Sequence, residues 1–362
     1  MYIKSIELQN FRNYESLSME FHPEKNILYG DNAQGKTNIL EALYYCGMTK
    51  SHKGSKEKEI IKINENESHI RMIIEKNGIE RRIDMHLKKN KGKGVAIDGI
   101  SVRKSSEVFG LTNIVFFSPE DLGIIKHGPS ERRRFVDMEL CQLDKIYFYD
   151  LGKYNQIINQ RNNLLKQIGH QQNLIDTLDI WDTQLLEYGS RIIERRRKHI
   201  EQLNQIIMPI HEKLSGGRER LFLEYEQNVT CENFKSKLLQ NRDRDLFQKI
   251  TTVGPHRDDI RFCIDDVDIR KYGSQGQQRT SALSLKLAEI ELIKKSVGDN
   301  PILLLDDVLS ELDRNRQNYL LDSIQDIQTI ITCTGLEEFI RERLKINQVY
   351  KVINGSVTKE SV

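Results

Sequence analysis

The chain has 362 residues with a formal net charge of +2, a length that exceeds one ordinary core and predicts about two domains. A composition of 38% apolar and 30% charged residues is that of a soluble globular protein, and so even a charge balance names no partner, since any nucleic-acid surface must be a local patch. Five scattered cysteines without a CxxC pair read as thiols in a reducing compartment; with a strand-like N-terminus and no apolar run of membrane-spanning length, a cytoplasmic address is expected, without membrane attachment.

Tyr2 to Leu8 sets Ile3, Ile6 and Leu8 against Lys4, Ser5 and Glu7, as a half-buried strand does, and Leu17, Met19 and Phe21 repeat the period after the polar turn Phe11-Arg12-Asn13-Tyr14. Next comes an apolar run, Asn26 to Tyr29, then Gly30 to Thr37 (G-D-N-A-Q-G-K-T), then a helical pattern with Ile39, Leu40, Ala42 and Leu43. Strand, loop and helix in that order are the context a P-loop requires. Gly30 and Gly35 let the backbone curl so that successive amides and the following helix N-terminus hold a phosphate chain. Lys36 adds a point charge for the β and γ phosphates, and Thr37 offers a hydroxyl to Mg²⁺, a hard cation that prefers oxygen ligands. A nucleoside triphosphate with Mg²⁺ is the first inference, with Gly30, Asp31, Asn32, Ala33, Gln34, Gly35, Lys36, Thr37 and Asn38 as its candidate cradle. In the turn before it, Arg12 is a candidate for the phosphates or ribose and Tyr14 for the base; a plain turn arginine and a half-exposed aromatic are the alternative.

From Lys50 to about Phe109 short alternating runs predict strands, with a basic hairpin tip at Lys88-Lys89-Asn90-Lys91-Gly92-Lys93-Gly94 that suits either phosphate-backbone contact or plain solvation. Thr112 to Phe117 reads as a buried strand, stopped by Ser118-Pro119-Glu120-Asp121. Arg132, Arg133 and Arg134 on a helix start cannot all face one way, so at least one is a surface charge.

Residues 143–215 change character. Leu151, Tyr154, Ile158, Leu165 and Ile168 fall on a 3-4 spacing interrupted only by Arg161, and Ile200, Leu203, Ile207, Ile210 and Leu214 continue it. Two helices joined near Gly169 to Asn173 predict a short antiparallel arm, roughly 40 to 60 Å long. Trp181 reads as core on its seam, and Arg195 to His199 as a solvated basic face.

Beyond the insert, Thr252 to Asp259 (T-V-G-P-H-R-D-D) is a dense turn. Arg257 in it is a candidate for nucleotide or DNA contact, and His256 reads as structural. Ser274-Gln275-Gly276-Gln277 opens a clear helix and offers a second anion site at its N-terminus. Pro301 to Asp307 is an apolar run ending in two carboxylates, as expected of a buried parallel strand that meets an active site. Asp306 is the candidate Mg²⁺ anchor with Thr37, and Asp307 the group that orients or deprotonates an attacking water; with Lys36 they form the candidate catalytic set. Adjacent strand residues point to opposite faces, so the two carboxylates are expected to act differently. Ser310-Glu311-Leu312-Asp313 caps the next helix, and Thr329 to Thr334 is one more buried strand.

A P-loop, a long insert, a Ser-x-Gly-Gln turn, a strand ending Asp-Asp and then S-E-L-D, in that order, resembles the ABC-type ATPases of the SMC class. Within that class the chain is similar to the RecF family of recombination mediators, on N-F-R-N-Y at 10–14, the P-loop, F-S-P-E-D-L at 117–122, G-P-H-R-D-D at 254–259, S-Q-G-Q-Q-R-T at 274–280 and L-L-L-D-D-V-L-S-E-L-D at 303–313. The resemblance implies an α/β ATPase head, residues 1–120 plus 250–362, with residues 121–250 as a helical lobe carrying the coiled arm. It implies a homodimer around two ATP and Mg²⁺, each ATP lying between the P-loop of one copy and the Ser274 turn of the other. It further implies binding to double-stranded DNA beside single-stranded gaps, a slow ATPase used as a switch, and work with RecO and RecR to load RecA in repair, replication restart and the SOS response. Asp307 stands where such ATPases usually carry glutamate and Thr334 where they carry a switch histidine; both departures predict slow turnover. A transporter ATPase subunit and a small-molecule P-loop kinase are the alternatives.

Overall fold

The computed structural model describes residues 1–168, 172–335 and 345–361, in two units, Met1–Asp121 with Glu289–Val362 and Leu122–Ala288. In the first unit the N-terminal pattern becomes the strand Tyr2–Phe11, which pairs antiparallel with Tyr14–Glu20 on one side and Glu67–Lys76 on the other. Ile3 and Ile6 both face the core although three residues apart, because the register with Glu67–Lys76 shifts between Ile3 and Ser5. Such a bulge returns the later residues to the buried face. Ile79–Lys88, Lys91–Ile97 and Ile100–Ser101 extend this antiparallel sheet to six strands.

The second sheet of the unit is the expected parallel one. The loop strand Lys25–Tyr29 sits between Gln348–Ile353 and Thr329–Cys333; beyond the latter come Ile302–Asp306 and Ile114–Phe117, all parallel. Only the last strand, Ser356–Glu360, runs antiparallel at the edge. Ile302–Asp306 is buried at every position, as a strand covered on both faces must be. The helix Lys36–Met48 touches strands of both sheets and buries nearly its whole circumference, Ile39 to Met48 included. Its apolar residues therefore wrap the helix instead of forming one stripe.

The second unit holds the helical insert. Lys145–Ile168 and Leu178–Leu214 pair antiparallel, since Arg161 meets Asp182 while Asp150 meets Arg191 and Arg195. The longer helix is about 55 Å at 1.5 Å per residue. Of the expected junction at 169–173, residues 169–171 lie outside the described residues. Trp181 is partly buried against Leu164, Leu165, Ile168 and Leu178.

The expected return to the head at residue 250 does not match these contacts. Asp259–Ile264 pairs antiparallel with Leu221–Glu226 and with Val267–Asp268, so a three-stranded sheet ties residues 250–288 to the insert. The expected solvated face at 195–199 also divides. Arg197 and Lys198 lie outward against Glu194 and Glu201. Arg196 is buried against Asp137, Asp258 and the Pro255 carbonyl, and His199 against Glu139. Of the three consecutive arginines, Arg132 is buried on Asp259, Arg133 donates to the Asp258 carbonyl at 2.6 Å, and Arg134 is the surface charge.

Candidate functional site: the P-loop and the carboxylate strand

The loop takes its shape from close approaches that only glycine permits. Gly30 has φ +152°, and a Cβ there would lie 2.2 Å from the Val352 carbonyl oxygen. Gly35 has φ +112°, and its Cβ would meet Asn13 Nδ2 at 2.5 Å and the Tyr14 hydroxyl at 2.7 Å. Between them Ala33 adopts φ +63°, and Asp31, Asn32 and Ala33 are exposed.

The neighbours hold the loop from two sides. Tyr14 is fully buried and donates from its hydroxyl to the Gly35 carbonyl at 3.1 Å. It therefore presents no face to a base, and the expectation that it packs near one is corrected: its ring is a strut beneath the loop. Asn13 donates to the Gln34 carbonyl at 3.2 Å and accepts from Asn38 at 2.8 Å. From the C-terminal hairpin, the Asn354 amide donates to Gln34 Oε1 at 2.5 Å and the Gly355 amide to the Gln34 carbonyl at 3.2 Å.

Lys36 is buried and its amine donates to the carbonyls of Gly30 at 2.7 Å and Asp31 at 2.9 Å, curling over the loop. Thr37 Oγ1 donates to Asp306 Oδ1 at 2.8 Å, joining residues 269 positions apart in the chain. A hydroxyl and a carboxylate oxygen side by side at the end of a phosphate cradle are the hard donors that Mg²⁺ takes, so the residues present fit that ion and a triphosphate. Burial raises the Asp306 pKa above the usual carboxylate value, with Asp307 adding to it, against the opposing bonds from Thr332 and Thr37 and the charge of Lys53. A cation placed there would reverse that balance.

Asp307 departs from the expected alternation. The strand ends at Asp306, and Asp307 turns to φ +51° with its amide donating to Thr332 Oγ1 at 3.0 Å. The two carboxylates are thus separated by a left-handed kink at the strand end instead of by opposite faces of a strand. Thr332 also donates to Asp306 Oδ1 at 2.8 Å, so one hydroxyl positions both aspartates. Sequence reasoning missed Thr332; its signal was a polar residue late in a buried apolar strand. The exposed Thr334 follows that strand's end at Cys333.

Arg12 adopts φ +52° and its guanidinium holds Glu41 through both oxygens, at 2.8 and 2.7 Å, with further bonds to Ser55 Oγ and the Glu59 carbonyl. Burial works against the Glu41 charge, but the bonds from Arg12 and Ser51 prevail and keep its carboxyl below the usual value. The Arg12 side chain thus ties the turn between the first two strands to the loop helix through Glu41.

In the second unit Ser274 and Gln277 cap each other: the Gln277 amide donates to Ser274 Oγ at 3.2 Å and the Ser274 amide to Gln277 Oε1 at 2.9 Å. This is the reciprocal box of a Ser-x-x-Gln helix start. Ser274, Gln275 and Gly276 are exposed, and first-turn amides lack acceptors inside their own helix. The G-P-H-R-D-D turn is mostly internal. His256 Nε2 donates to the Thr251 carbonyl at 3.0 Å and its Nδ1 meets the Tyr154 hydroxyl at 2.8 Å, and Asp258 is buried on Tyr225, Asn228 and Arg196. Arg257 is exposed and donates to the Thr251 carbonyl. At the basic hairpin Lys93 pairs with Glu57 and Lys88 with Glu67, while Lys89 and Lys91 are exposed.

Among the described residues no helix is long and apolar enough to cross a membrane. A family model described as RecF/RecN/SMC N terminal domain matches residues 2–358. The "DNA replication and repair protein RecF" of Lachnoclostridium phytofermentans is 62% identical over 359 residues, covering 99% of this chain and 100% of that protein. A solved "recombination mediator protein RecF-ATP in RecFOR pathway" superposes with a TM-score of 0.93 at 37% identity, covering 99% of this chain and 98% of that one. A solved Smc head bound to the C-winged helix domain of ScpA gives 0.56 at 17% identity, covering 100% and 98%, a likeness of fold.

Proposed function

The chain belongs to the RecF family within the RecF/RecN/SMC class, and on that premise we propose that it is an ATP-gated, DNA-binding recombination mediator. The observation that carries the reading is the meeting of Thr37 and Asp306 at 2.8 Å beside the glycine cradle. In this reading the loop amides and Lys36 hold the β and γ phosphates, and the Lys36 amine exchanges its two loop carbonyls for phosphate oxygens. Thr37 and Asp306 would hold Mg²⁺, which would supply positive charge against the phosphate oxygens. Asp307 orients the attacking water, its backbone fixed by Thr332. A short carboxylate at 307 and an exposed threonine at 334 support slow hydrolysis, suited to a timed switch. Arg12 positions the loop helix through Glu41.

The exposed turn Ser274-Gln275-Gly276-Gln277 completes the ATP site of a second copy, so nucleotide joins two chains head to tail. The dimer binds duplex DNA beside single-stranded gaps and acts with RecO and RecR to help load RecA in repair, replication restart and the SOS response. The resident relative named for replication and repair, and the RecF solved with ATP, support this reading.

Mixing two variants tests it. Lys36→Arg and Ser274→Arg each abolish ATP-dependent dimerisation alone, whereas their mixture sediments as a dimer with one intact site. A mixture that stays monomeric under saturating ATP and Mg²⁺, while the parent chain dimerises, refutes the composite site. A parent chain that phosphorylates a small acceptor as a monomer would make it a kinase.

A further inference from the structure

We propose that Glu67, His69 and His86 form a binding site for a divalent transition-metal ion of the zinc class on the outer face of the antiparallel sheet in the first unit. The placement follows from register. His69 and His86 lie directly opposite each other on neighbouring antiparallel strands, and Glu67 is two residues before His69. All three therefore share the face opposite the buried Ser68, Ile70, Met85 and Leu87.

The side chains converge. The two imidazoles stack at 3.9 Å with planes 24° apart, and His86 Nε2 lies 2.9 Å from Glu67 Oε2. One ligand atom from each of the three lies within 4.8 Å of the others. Zn²⁺ bonds nitrogen and carboxylate oxygen at about 2.0 to 2.2 Å, so donors on one ion stand roughly 3 to 4 Å apart. Small rotations of rings that are exposed or half-buried close the difference. Two imidazoles and one carboxylate are a donor set for zinc, nickel or copper, softer than the oxygen-only set at Thr37 and Asp306.

The surroundings leave room for the remaining ligands. Gly94 is the cross-strand partner of His86 on its other side, so no side chain from that strand covers the ring. His69 and His86 line an open groove of about 1310 Å³ with Gln9, Asp84 and Ala96. A hydrogen bond between His86 and Glu67, with Lys88 at 3.4 Å from the same carboxylate, accounts for two of the three residues. It gives His69 no polar partner among the described residues; a shared ion does. Ligation would take Glu67 from Lys88, at the base of the lysine-rich hairpin.

The test uses the full chain without nucleotide or Mg²⁺, titrated with Zn²⁺ by calorimetry and with Co²⁺ by visible absorption. The expected result is one site whose Co²⁺ spectrum shows nitrogen ligation, weakened at least about tenfold by His69→Gln or by His86→Gln and lost in the double variant. Zn²⁺ should also raise the unfolding temperature of the parent and leave that of the double variant unchanged. Both rings are on the outer face, so the metal-free variants should unfold with the parent, which separates a lost site from a lost fold. Equal binding by parent and double variant, or no binding by the parent below about 1 mM, overturns the proposal.

Discussion

Replacing Arg161 tests how the helical arm is held to its lobe. Its side chain is 0% exposed, and it donates to Asp182 at 2.6 Å, Asp245 at 2.7 Å and Thr251 Oγ1 at 3.0 Å. At an effective dielectric of about 20, each close pair attracts by roughly 6 kcal/mol, against a desolvation cost of several kcal/mol per ion. The intact cluster is thus near break-even, while removing one partner strands buried charge, at about 3–5 kcal/mol. Arg161→Met falls at the low end, about 3 kcal/mol, because Asp182 keeps Arg242 at 2.6 Å and Asp245 keeps the Thr252 amide and hydroxyl. With an m-value of about 2 kcal/mol per molar urea, the midpoint falls by roughly 1.5 M. The assay is urea unfolding followed by Trp181, the single tryptophan, which packs on the leucine cluster next to Asp182. Adding Asp245→Asn to Arg161→Met removes the stranded charge and should recover about half the loss. A midpoint within about 0.3 M of the parent, or a double variant that loses the sum of both single effects, refutes the argument.

Two further outcomes follow from pKa shifts. Burial depresses the His256 pKa to about 4, with Arg257, Arg133 and Arg196 adding to it against the Thr251 carbonyl. The folded pKa is below the ordinary 6.5, so its stability contribution is complete above about pH 6.5 and is lost as pH falls toward 4. The loss is about 3 kcal/mol, measured as urea midpoints between pH 7 and 4; His256→Gln should flatten that slope, and an unchanged slope would remove His256 as its cause. Asp306 has a raised folded pKa, so the nucleotide-free fold loses stability as pH climbs out of the ordinary carboxylate range through the raised value. Asp306→Asn should therefore melt above the parent at pH 7, match it below about pH 4, and lose Mg²⁺-dependent ATP binding; a variant that melts lower at pH 7 contradicts the assigned burial cost.

The sequence makes legible what local pattern encodes. The glycines at 30 and 35, the carboxylate at the end of an all-apolar strand and the Ser-x-x-Gln helix start each imply a local conformation, and each is found. Partner choice is harder to read. Arg161 looks like a break in an apolar seam because periodicity reports which face a residue occupies, not which acids meet it there; Asp245 is 84 positions away. Arg196 and His199 look solvated for the same reason, since Asp137 and Glu139 lie on a different helix. The strand Asp259–Ile264 carries no mark of which sheet it joins, and its pairing with Leu221–Glu226 moves the unit boundary.

The same distinction bears on how the loop can work. Gly30 abuts the Val352 carbonyl, Gly35 abuts Asn13 and Tyr14, and Gln34 is held by Asn354 and Gly355, some 320 positions later in the chain. These contacts come from neighbours already locked into two sheets, so the cradle's backbone is fixed by the fold before a ligand arrives. What has to move for a triphosphate is the Lys36 amine, which leaves two carbonyls of its own loop. Little ordering entropy then remains to be lost on binding, and more of the phosphate interaction is left as affinity. The structural cost of the loop is carried by Gly30 and Gly35, and its readiness by residues that the P-loop pattern does not mention.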